Sequence, residues 1–280
     1  MVCHMSEYRI QVQNLNVTID NKKILNDISV NVKKGEIFTI IGPSGAGKSI
    51  FLRTLNRLLE PESGKILLDG NSILTMDPRM VRKKVGMVFQ LPILFPGTVE
   101  DNILTGPRIW DGTKITKEET NENGLGQGGR GDKTNRISNH HGETLERMVE
   151  NLLKSVDLPS DYAKQDAGKL SVGEQQRVCI SRAIANDPEV ILMDEPTASL
   201  DPESTHKIET LIKKLNRELG LTVVIVTHNM KQARKIGDTT MLLEKGQVVQ
   251  VGPTSDHFPG FKDPTHECCI PGAKACNGED

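Results

Sequence analysis

This sequence lacks a large excess of either positive or negative charge. It also lacks a basic leader segment and long apolar runs. Its 35 lysines and arginines nearly balance 37 aspartates and glutamates, and the net charge of −2 argues against nucleic acid as a main partner. No apolar run approaches the roughly 20 residues of a membrane-spanning helix, and the first residues lack the layout of a signal peptide. We therefore expect a cytoplasmic chain, in which any membrane task depends on a separate membrane protein.

Cysteine is scarce as well, and its odd count of five argues for reduced thiols rather than a disulfide framework. Cys179 lies in an apolar helical stretch, so we expect it to pack in the core. Near the end of the chain, a candidate metal-binding group comprises His266, Cys268, Cys269 and Cys276. These residues lack the repeated pair spacing of zinc sites, which favours an unordered tail over a metal site.

Strand and helix patterns follow one another along most of the sequence. Alternating runs with turns at 20–21 and 34–35 predict antiparallel strands at the start. The continuous apolar run 37–41 predicts a strand that is covered on both faces. Later strands alternate with amphipathic helices, and this pattern predicts an α/β fold with a parallel, helix-covered sheet.

One long segment departs from this pattern. Residues 111–142 contain many glycines, few apolar side chains and no periodicity. Such a segment cannot bury enough apolar surface to offset the entropy that ordering would cost. We interpret it as a flexible insertion.

The strongest functional signal is GPSGAGKS, which lies between the apolar run and a predicted helix. Glycines allow backbone N–H groups to approach phosphate oxygens closely, and the helix N-terminus adds its positive dipole. Lys48 supplies a full charge for the β and γ phosphates, Ser49 can ligate Mg²⁺, and Ile50 adds no second hydroxyl. The candidate nucleotide site therefore comprises Gly42, Pro43, Ser44, Gly45, Ala46, Gly47, Lys48, Ser49 and Ile50.

A second signal is the apolar strand EVILMDEP, which ends in two acids. Phosphoryl transfer needs an acid that helps to hold magnesium and a group that orients the attacking water. Asp194 fits the first role and Glu195 the second. Strands that end in acids are common, so this signal gains its weight from the glycine-rich loop.

The segment LSVGEQQR reads in two ways. Ser171 and Glu174 fit a capping box at the start of a helix, which would explain both residues without any ligand. Gly173 is costly in a first turn, however, unless another group must approach the backbone there. A capped helix start with an exposed glycine could be a second anion site.

Two polar residues follow apolar strands elsewhere: Gln90 after KVGMVF and His228 after LTVVIVT. Ligands of parallel sheets bind beyond the carboxyl ends of the strands, so either residue could sense the γ-phosphate. Either could equally be a satisfied polar residue at the edge of a sheet. Spacing alone leaves both alternatives open.

Together with ASLD (Ala198–Asp201), these features make six motifs. In their order along the chain they resemble those of the ATP-binding cassette subunits of ABC transporters, from about Ile10 to Gly252. The resemblance implies a P-loop NTPase fold of the ABC type, with a RecA-like parallel core and an N-terminal antiparallel β subdomain. It also implies an inserted α-helical subdomain at about 91–170. One ATPase domain would then cover 7–252 and leave 253–280 as a C-terminal tail.

The resemblance also implies an enzyme that hydrolyses ATP with Mg²⁺. Its catalytic residues would be Lys48, Glu195 and His228, and its metal site would involve Ser49, Gln90 and Asp194. The segment ASLD (Ala198–Asp201) sits where the D-loop of the family lies. The active form would be a head-to-tail homodimer in which Ser171, Gly173 and Glu174 contact the nucleotide held by the partner.

Further partners follow from the same resemblance. They are integral membrane permease subunits, coupled through the segment around Gln90, and an extracytoplasmic substrate-binding protein, with no nucleic acid. The chain would then lie peripherally on the inner face of the cell membrane. Phosphate-importer ATPases show the most similar segments, while ATPases of metal or nucleotide-sugar exporters and soluble ABC-type ATPases of nucleic acid or ribosomes are alternatives.

Three residues depart from the family pattern. Val172 replaces the first signature glycine, and Glu174 replaces a glutamine. A negative charge at position 174 is expected to weaken a closed dimer unless it points away from the phosphate. Ile19 stands where an aromatic residue usually stacks on adenine, so base preference is expected to be loose.

Overall fold

The computed structural model describes residues 7–110 and 144–254. The predicted flexible insertion at 111–142 and the cysteine-containing tail lie outside these residues, apart from the first two positions of the tail, 253 and 254. Cys179 is buried among apolar residues, as the sequence predicted.

The described residues contain ten strands and seven α-helices, and the shortest strand, β5, has two residues. The strands are β1 (Tyr8–Ile19), β2 (Lys22–Lys33), β3 (Ile37–Ile41), β4 (Ser63–Leu68), β5 (Asn71–Ser72), β6 (Val85–Val88), β7 (Val190–Asp194), β8 (Thr222–Val226), β9 (Thr239–Glu244) and β10 (Gln247–Pro253). The helices are α1 (Lys48–Leu55), α2 (Pro78–Lys84), α3 (Val99–Trp110), α4 (Leu145–Ser155), α5 (Val172–Ile184), α6 (Pro202–Leu219) and α7 (Met230–Ile236).

An antiparallel sheet of four strands, in the order β2-β1-β4-β5, forms the first layer. Strands β1 and β2 are joined by the predicted turn, where Asp20 and Asn21 have φ angles of 48° and 60°. Two consecutive residues with positive φ match the right-handed twist of the strands that they join, and Asp and Asn tolerate this conformation. The turn therefore fixes the register of β1 on β2.

A six-stranded sheet in the order β10-β9-β3-β8-β7-β6 forms the second layer. Strands β9, β3, β8, β7 and β6 are parallel, and only the edge strand β10 runs antiparallel to its neighbour. The predicted α/β fold with a parallel core and an antiparallel β layer is confirmed.

Both faces of the parallel sheet are buried, because successive side chains of a strand point to opposite faces. In β7, Val190 and Leu192 pack towards the antiparallel sheet and α1, in one apolar cluster. Ile191 and Met193 pack on the other face, towards α3, α4, α5 and α6. This two-sided burial explains why the strands are continuous apolar runs instead of alternating ones.

The helices on the second face form a separate layer around α5. Val178 and Ile180 of α5 share an apolar cluster with Ile103 of α3 and Val149 of α4. Among the described residues, no helix is long and apolar enough to cross a membrane.

A network of charged residues joins the two sheets. Arg9 of β1 donates through Nη1 to Asp69 Oδ2 at 2.5 Å and to Glu189 Oε2 at 2.7 Å. Asp69 also pairs with Lys34, at 2.8 Å. Asp69 follows β4, whereas Glu189 immediately precedes β7, so the guanidinium bridges the antiparallel and the parallel layers.

Replacement of Asp69 by asparagine is expected to lower the free energy of unfolding by about 1–2 kcal/mol, because Arg9 and Lys34 lose a partly buried counter-ion. Burial raises the pKa of Asp69, but hydrogen bonds with Lys34 and Arg9 outweigh it and hold the pKa below its ordinary value of 3.8. The contribution of the ionised Asp69 to the free energy of unfolding is therefore present above pH 3.8 and is lost as the pH falls below this value. Urea unfolding of both proteins at several pH values measures this.

The matched control for this prediction is Asp157→Asn. Asp69 and Asp157 both have a positive φ, 48° and 55°. Like Asp69, Asp157 pairs with a lysine, Lys214 at 2.7 Å, but its side chain is 56% exposed. Exposed pairs contribute about 0.2–1 kcal/mol. An equal loss in both variants would contradict a special role for the network between the sheets.

Candidate functional site

The glycine-rich loop 42–47 connects β3 to α1 and is enclosed by distant parts of the chain. Gly42 has a φ of 148°, and a Cβ at this position would collide with the backbone carbonyl of Leu243 in β9. Gly47 has a φ of 101°, and a Cβ there would lie 2.8 Å from Leu25 Cδ2. The two glycines are therefore required by close packing as well as by their backbone conformation.

The loop leaves its apex open to solvent. Pro43, Ser44 and Gly45 are exposed, whereas Ala46 is buried and accepts a hydrogen bond from Gly246 N at 3.0 Å. Gly47 is the N-cap of α1 and has no side chain to satisfy the first N–H groups of the helix. Exposed N–H groups at a helix start favour a bound anion.

Lys48 reaches back over this loop. Its Nζ donates to Gly42 O at 2.8 Å and to Pro43 O at 2.9 Å, and the residue is only 6% exposed. Burial lowers the pKa of Lys48, while the nearby Glu195 and Asp194 act in the opposite direction. The loop therefore holds its one ammonium group where phosphate oxygens could replace two carbonyls as acceptors.

Ser49 joins the loop to the acidic strand end. Its Oγ donates to Asp194 Oδ1 at 2.8 Å. Asp194 is 5% exposed, and burial raises its pKa although the Ser49 hydrogen bond acts against this. A hydroxyl and a carboxylate in contact are hard oxygen ligands of the kind that Mg²⁺ prefers beside nucleotide phosphates.

Glu195 and His228 meet at the ends of two adjacent strands. His228 Nδ1 lies 3.1 Å from Glu195 Oε2. Glu195 has a φ of 46°, which is uncommon for a residue other than glycine, and its N–H donates to Val226 O at 3.0 Å. The backbone of β8 thus holds Glu195 in a conformation that turns its side chain towards the histidine.

The other predicted nucleotide residues of the core take less central positions. Gln90 is exposed two residues beyond β6, at the same carboxyl edge of the sheet as the acids. Ile50 is half-buried and packs against the apolar cluster beneath the antiparallel sheet. Ile19 packs against the same cluster.

The predicted helix start at Ser171 forms a separate cleft. It is lined by Ser171, Gly173, Glu174 and Arg177 of the α5 region and by Ser204, Lys207 and Ile208 of α6, and none of these belongs to the loop 42–47. The predicted capping box is confirmed: Ser171 caps the N–H of Glu174, whose side chain accepts from Ser171 N. Val172 is exposed beside it.

Gly173 has a neighbour within its own chain. A Cβ at this position would lie 2.9 Å from Ser204 Oγ and 3.2 Å from Ser204 Cβ. The absence of a side chain at 173 therefore lets α5 approach α6, in addition to leaving the helix start open for another group.

Comparison with known proteins identifies the family. The sequence profile of the ABC transporter family matches residues 25–198. The chain belongs to the ABC transporter family. It is 42% identical over 247 residues to ABC transporter I family member 17 of Arabidopsis thaliana, covering 88% of this chain and 82% of that protein. It is 37% identical to the phosphate import ATP-binding protein PstB of Pyrobaculum aerophilum, covering 92% and 95%.

Solved structures of ABC cassettes are similar in fold. The cbiO1 protein of Clostridium perfringens, part of the transporter complex cbiONQ, has a TM-score of 0.72 and 28% identity over 89% of this chain and 90% of that one. The dimeric cassette MJ0796 bound to ADP and Pi has a TM-score of 0.68 and 31% identity over 88% and 98%. The resemblance inferred from the motifs is thus confirmed, and this chain is the ATP-hydrolysing subunit of an ABC transporter.

Sequence analysis did not predict two hydrogen bonds of this chain, one to the helix start at Ser171 and one to the segment after Gln90. Tyr162 donates to Glu174 Oε1 at 3.0 Å from a short 3-10 helix, and Arg182 donates to Ile93 O at 2.9 Å. Tyr162 lies 12 positions before its acceptor and Arg182 lies 89 positions after Ile93. Each contact joins two different segments of the fold, so no local pattern could have indicated it.

Lys48→Ala is expected to weaken ATP binding at least tenfold, because the loop loses its only ammonium group while its backbone N–H groups remain. Titration with a fluorescent ATP analogue and a melting temperature within a few degrees of the parent would test this. Lys84→Ala, which removes a lysine paired with Glu189 at the amino end of β7, is the control, and an equal loss of affinity in both variants would contradict the assignment.

Proposed function

We propose that two copies of this cassette bind two Mg·ATP molecules head to tail, each between the loop 42–49 of one copy and the α5 start of the other. The observation that carries the proposal is the separation of the site into two parts within one chain. Lys48, Ser49, Asp194 and Glu195 lie at one sheet edge, while Ser171 and Gly173 line a different cleft. The dimeric state of the similar cassette MJ0796 supports the same arrangement.

In this proposal the residues at the sheet edge divide the work of hydrolysis. Lys48 exchanges its two carbonyl acceptors for β- and γ-phosphate oxygens. Glu195 orients the attacking water and accepts its proton, while His228 holds Glu195 through the 3.1 Å contact and faces the γ-phosphate. The side chain of His228 is 64% exposed, so the nucleotide can approach its second ring nitrogen.

The same edge suits a magnesium ion. Ser49 and Asp194 supply adjacent oxygen atoms, and Gln90 is exposed at the neighbouring strand end. Residues 7–110 and 144–254 contain no group of three or more His, Cys, Asp or Glu that could hold a metal without help. A Mg²⁺ ion with few protein ligands matches its usual mode of binding together with nucleotide phosphates, where it neutralises developing charge.

A surface for a membrane permease lies next to Gln90. Phe89, Leu91, Ile93 and Phe95 are between 38% and 62% exposed, and a contiguous apolar patch of this kind marks a protein contact. Arg182 of α5 supports the segment through Ile93 O and through the Phe95 ring, whose centroid lies 5.2 Å away. Binding of a permease here would place the cassette on the inner face of the cell membrane.

Phosphate import is the transport reaction that we propose. Its support is the relative PstB, whose alignment covers nearly the whole of both chains. In such a system an extracytoplasmic binding protein would deliver phosphate to the permease, and the cassette would supply the free energy of ATP.

Glu195→Gln is expected to stop hydrolysis and to trap an ATP-bound dimer, because the amide cannot accept the proton of the attacking water but leaves the pocket intact. Sedimentation with Mg·ATP should show a doubling of mass that Lys48→Ala abolishes in the same background. A Glu195→Gln protein that binds ATP and yet remains monomeric would contradict the head-to-tail dimer.

Purification of this chain from its native membranes is expected to yield a phosphate-type permease as a bound partner. Membrane vesicles that contain the complex should accumulate radiolabelled phosphate with ATP, and vesicles with Lys48→Ala should not. A lone exporter-type permease, or uptake that ignores phosphate, would overturn phosphate import without affecting the ATPase assignment.

A further inference from the structure

The carboxylate of Glu174 is held on both oxygens at the start of α5. Oε2 accepts from the backbone N of Ser171 at 2.9 Å and from Ser171 Oγ at 2.6 Å. Oε1 accepts from the hydroxyl of Tyr162 at 3.0 Å. Groups of its own chain therefore hold both oxygens of the carboxylate.

The protonation state of the Glu174 carboxylate decides whether the Ser171 hydroxyl donates or accepts in the contact between them. An ionised carboxylate can only accept hydrogen bonds, so Ser171 must be the donor in the 2.6 Å contact. Hydrogen bonding from Ser171 lowers the pKa of Glu174, and Tyr162 and Arg177 act in the same direction. The carboxylate is therefore ionised at neutral pH, and the hydroxyl proton of Ser171 points to Glu174 Oε2.

This arrangement conflicts with a phosphate contact. A phosphate oxygen is also an acceptor, and a hydroxyl that donates to Glu174 presents only lone pairs to it. Ser171 can donate to the nucleotide of a partner only after its hydroxyl rotates away from Glu174. The rotation gives up a charge-assisted hydrogen bond, which is one of the stronger kinds.

We propose that Glu174 is a positioning residue that keeps the Ser171 hydroxyl bound within its own chain and thereby restrains closure of the ATP-bound dimer. The inference rests on the proposed head-to-tail dimer. Tyr162 assists by fixing the second oxygen of the carboxylate. The family pattern has glutamine at this position, whose amide oxygen can retain the capping box. A hydrogen bond from Ser171 Oγ to a neutral amide oxygen is weaker than one to a carboxylate, so the hydroxyl can turn to the phosphate more easily.

Simple charge repulsion between Glu174 and phosphate is the competing explanation. It is weakened by the surroundings of the carboxylate, because Arg177 and Lys207 line the same cleft. The hydroxyl explanation makes the effect of Glu174 depend on the Ser171 side chain, whereas repulsion does not. This difference can be measured.

The test uses the full chain with Glu195→Gln, so that hydrolysis does not intervene. Adding Glu174→Gln is expected to lower the dissociation constant of the dimer about tenfold at saturating Mg·ATP, measured by sedimentation. ATP affinity of the monomer should stay unchanged, because the loop 42–49 is untouched. A change below twofold would overturn the proposal.

Two further variants separate the hydroxyl from the charge. Glu203→Gln removes an equal charge from the first turn of the neighbouring helix, where Glu203 pairs with Lys207 at 2.7 Å, and it should not tighten the dimer. With Ser171→Gly, which removes the hydroxyl at a small cost to the helix cap, Glu174→Gln should lose its effect. Equal tightening with glycine at 171, or with Glu203→Gln, would show charge repulsion and overturn the proposal.

The outcomes also distinguish this inference from the proposed function. A Glu195→Gln parent that dimerises with ATP but ignores Glu174→Gln contradicts the inference alone. A parent that stays monomeric while the Glu174→Gln form dimerises supports both. If both forms bind the fluorescent ATP analogue and remain monomeric, the head-to-tail dimer and the inference fall together.

Discussion

The hydrogen bond from Ser49 to Asp194 is the contact on which the rest of the site depends. It joins the first turn of α1 to the end of β7, although 145 positions separate the two residues. Strand β8 lies between β3 and β7, so the sheet order brings His228 to the gap between the loop and Glu195. The parallel direction of these strands puts all their carboxyl ends at one edge, where phosphate and metal can be bound together.

The shape of the phosphate loop depends on segments far from it in sequence. Leu25 of β2 packs against Gly47, the backbone of Leu243 in β9 closes on Gly42, and Gly246 in the final hairpin donates to Ala46. The antiparallel layer and the C-terminal hairpin therefore help to form the site even though they supply none of the predicted catalytic groups. Damage to either layer would distort the loop without altering its sequence.

The helix start at Ser171 shows how one short motif serves several purposes. Its capping box satisfies N–H groups of α5, its glycine allows α6 to approach, and its face opens a polar cleft. Further along the same helix, Arg182 supports the exposed apolar segment near Gln90. One rigid helix thus connects the cleft that we assign to the partner's nucleotide with the surface that we assign to a permease.

Sequence by itself determined the local features: the continuous apolar strands, the Asp20-Asn21 turn, the capping box and the phosphate loop. Each depends on neighbouring residues and on backbone preferences, which a linear pattern records. Only the tertiary structure decided that Tyr162 donates to Glu174, that Ser204 lies against Gly173, and that His228 touches Glu195. These contacts join residues at separations of no regular period, because the packing of whole helices and strands sets them.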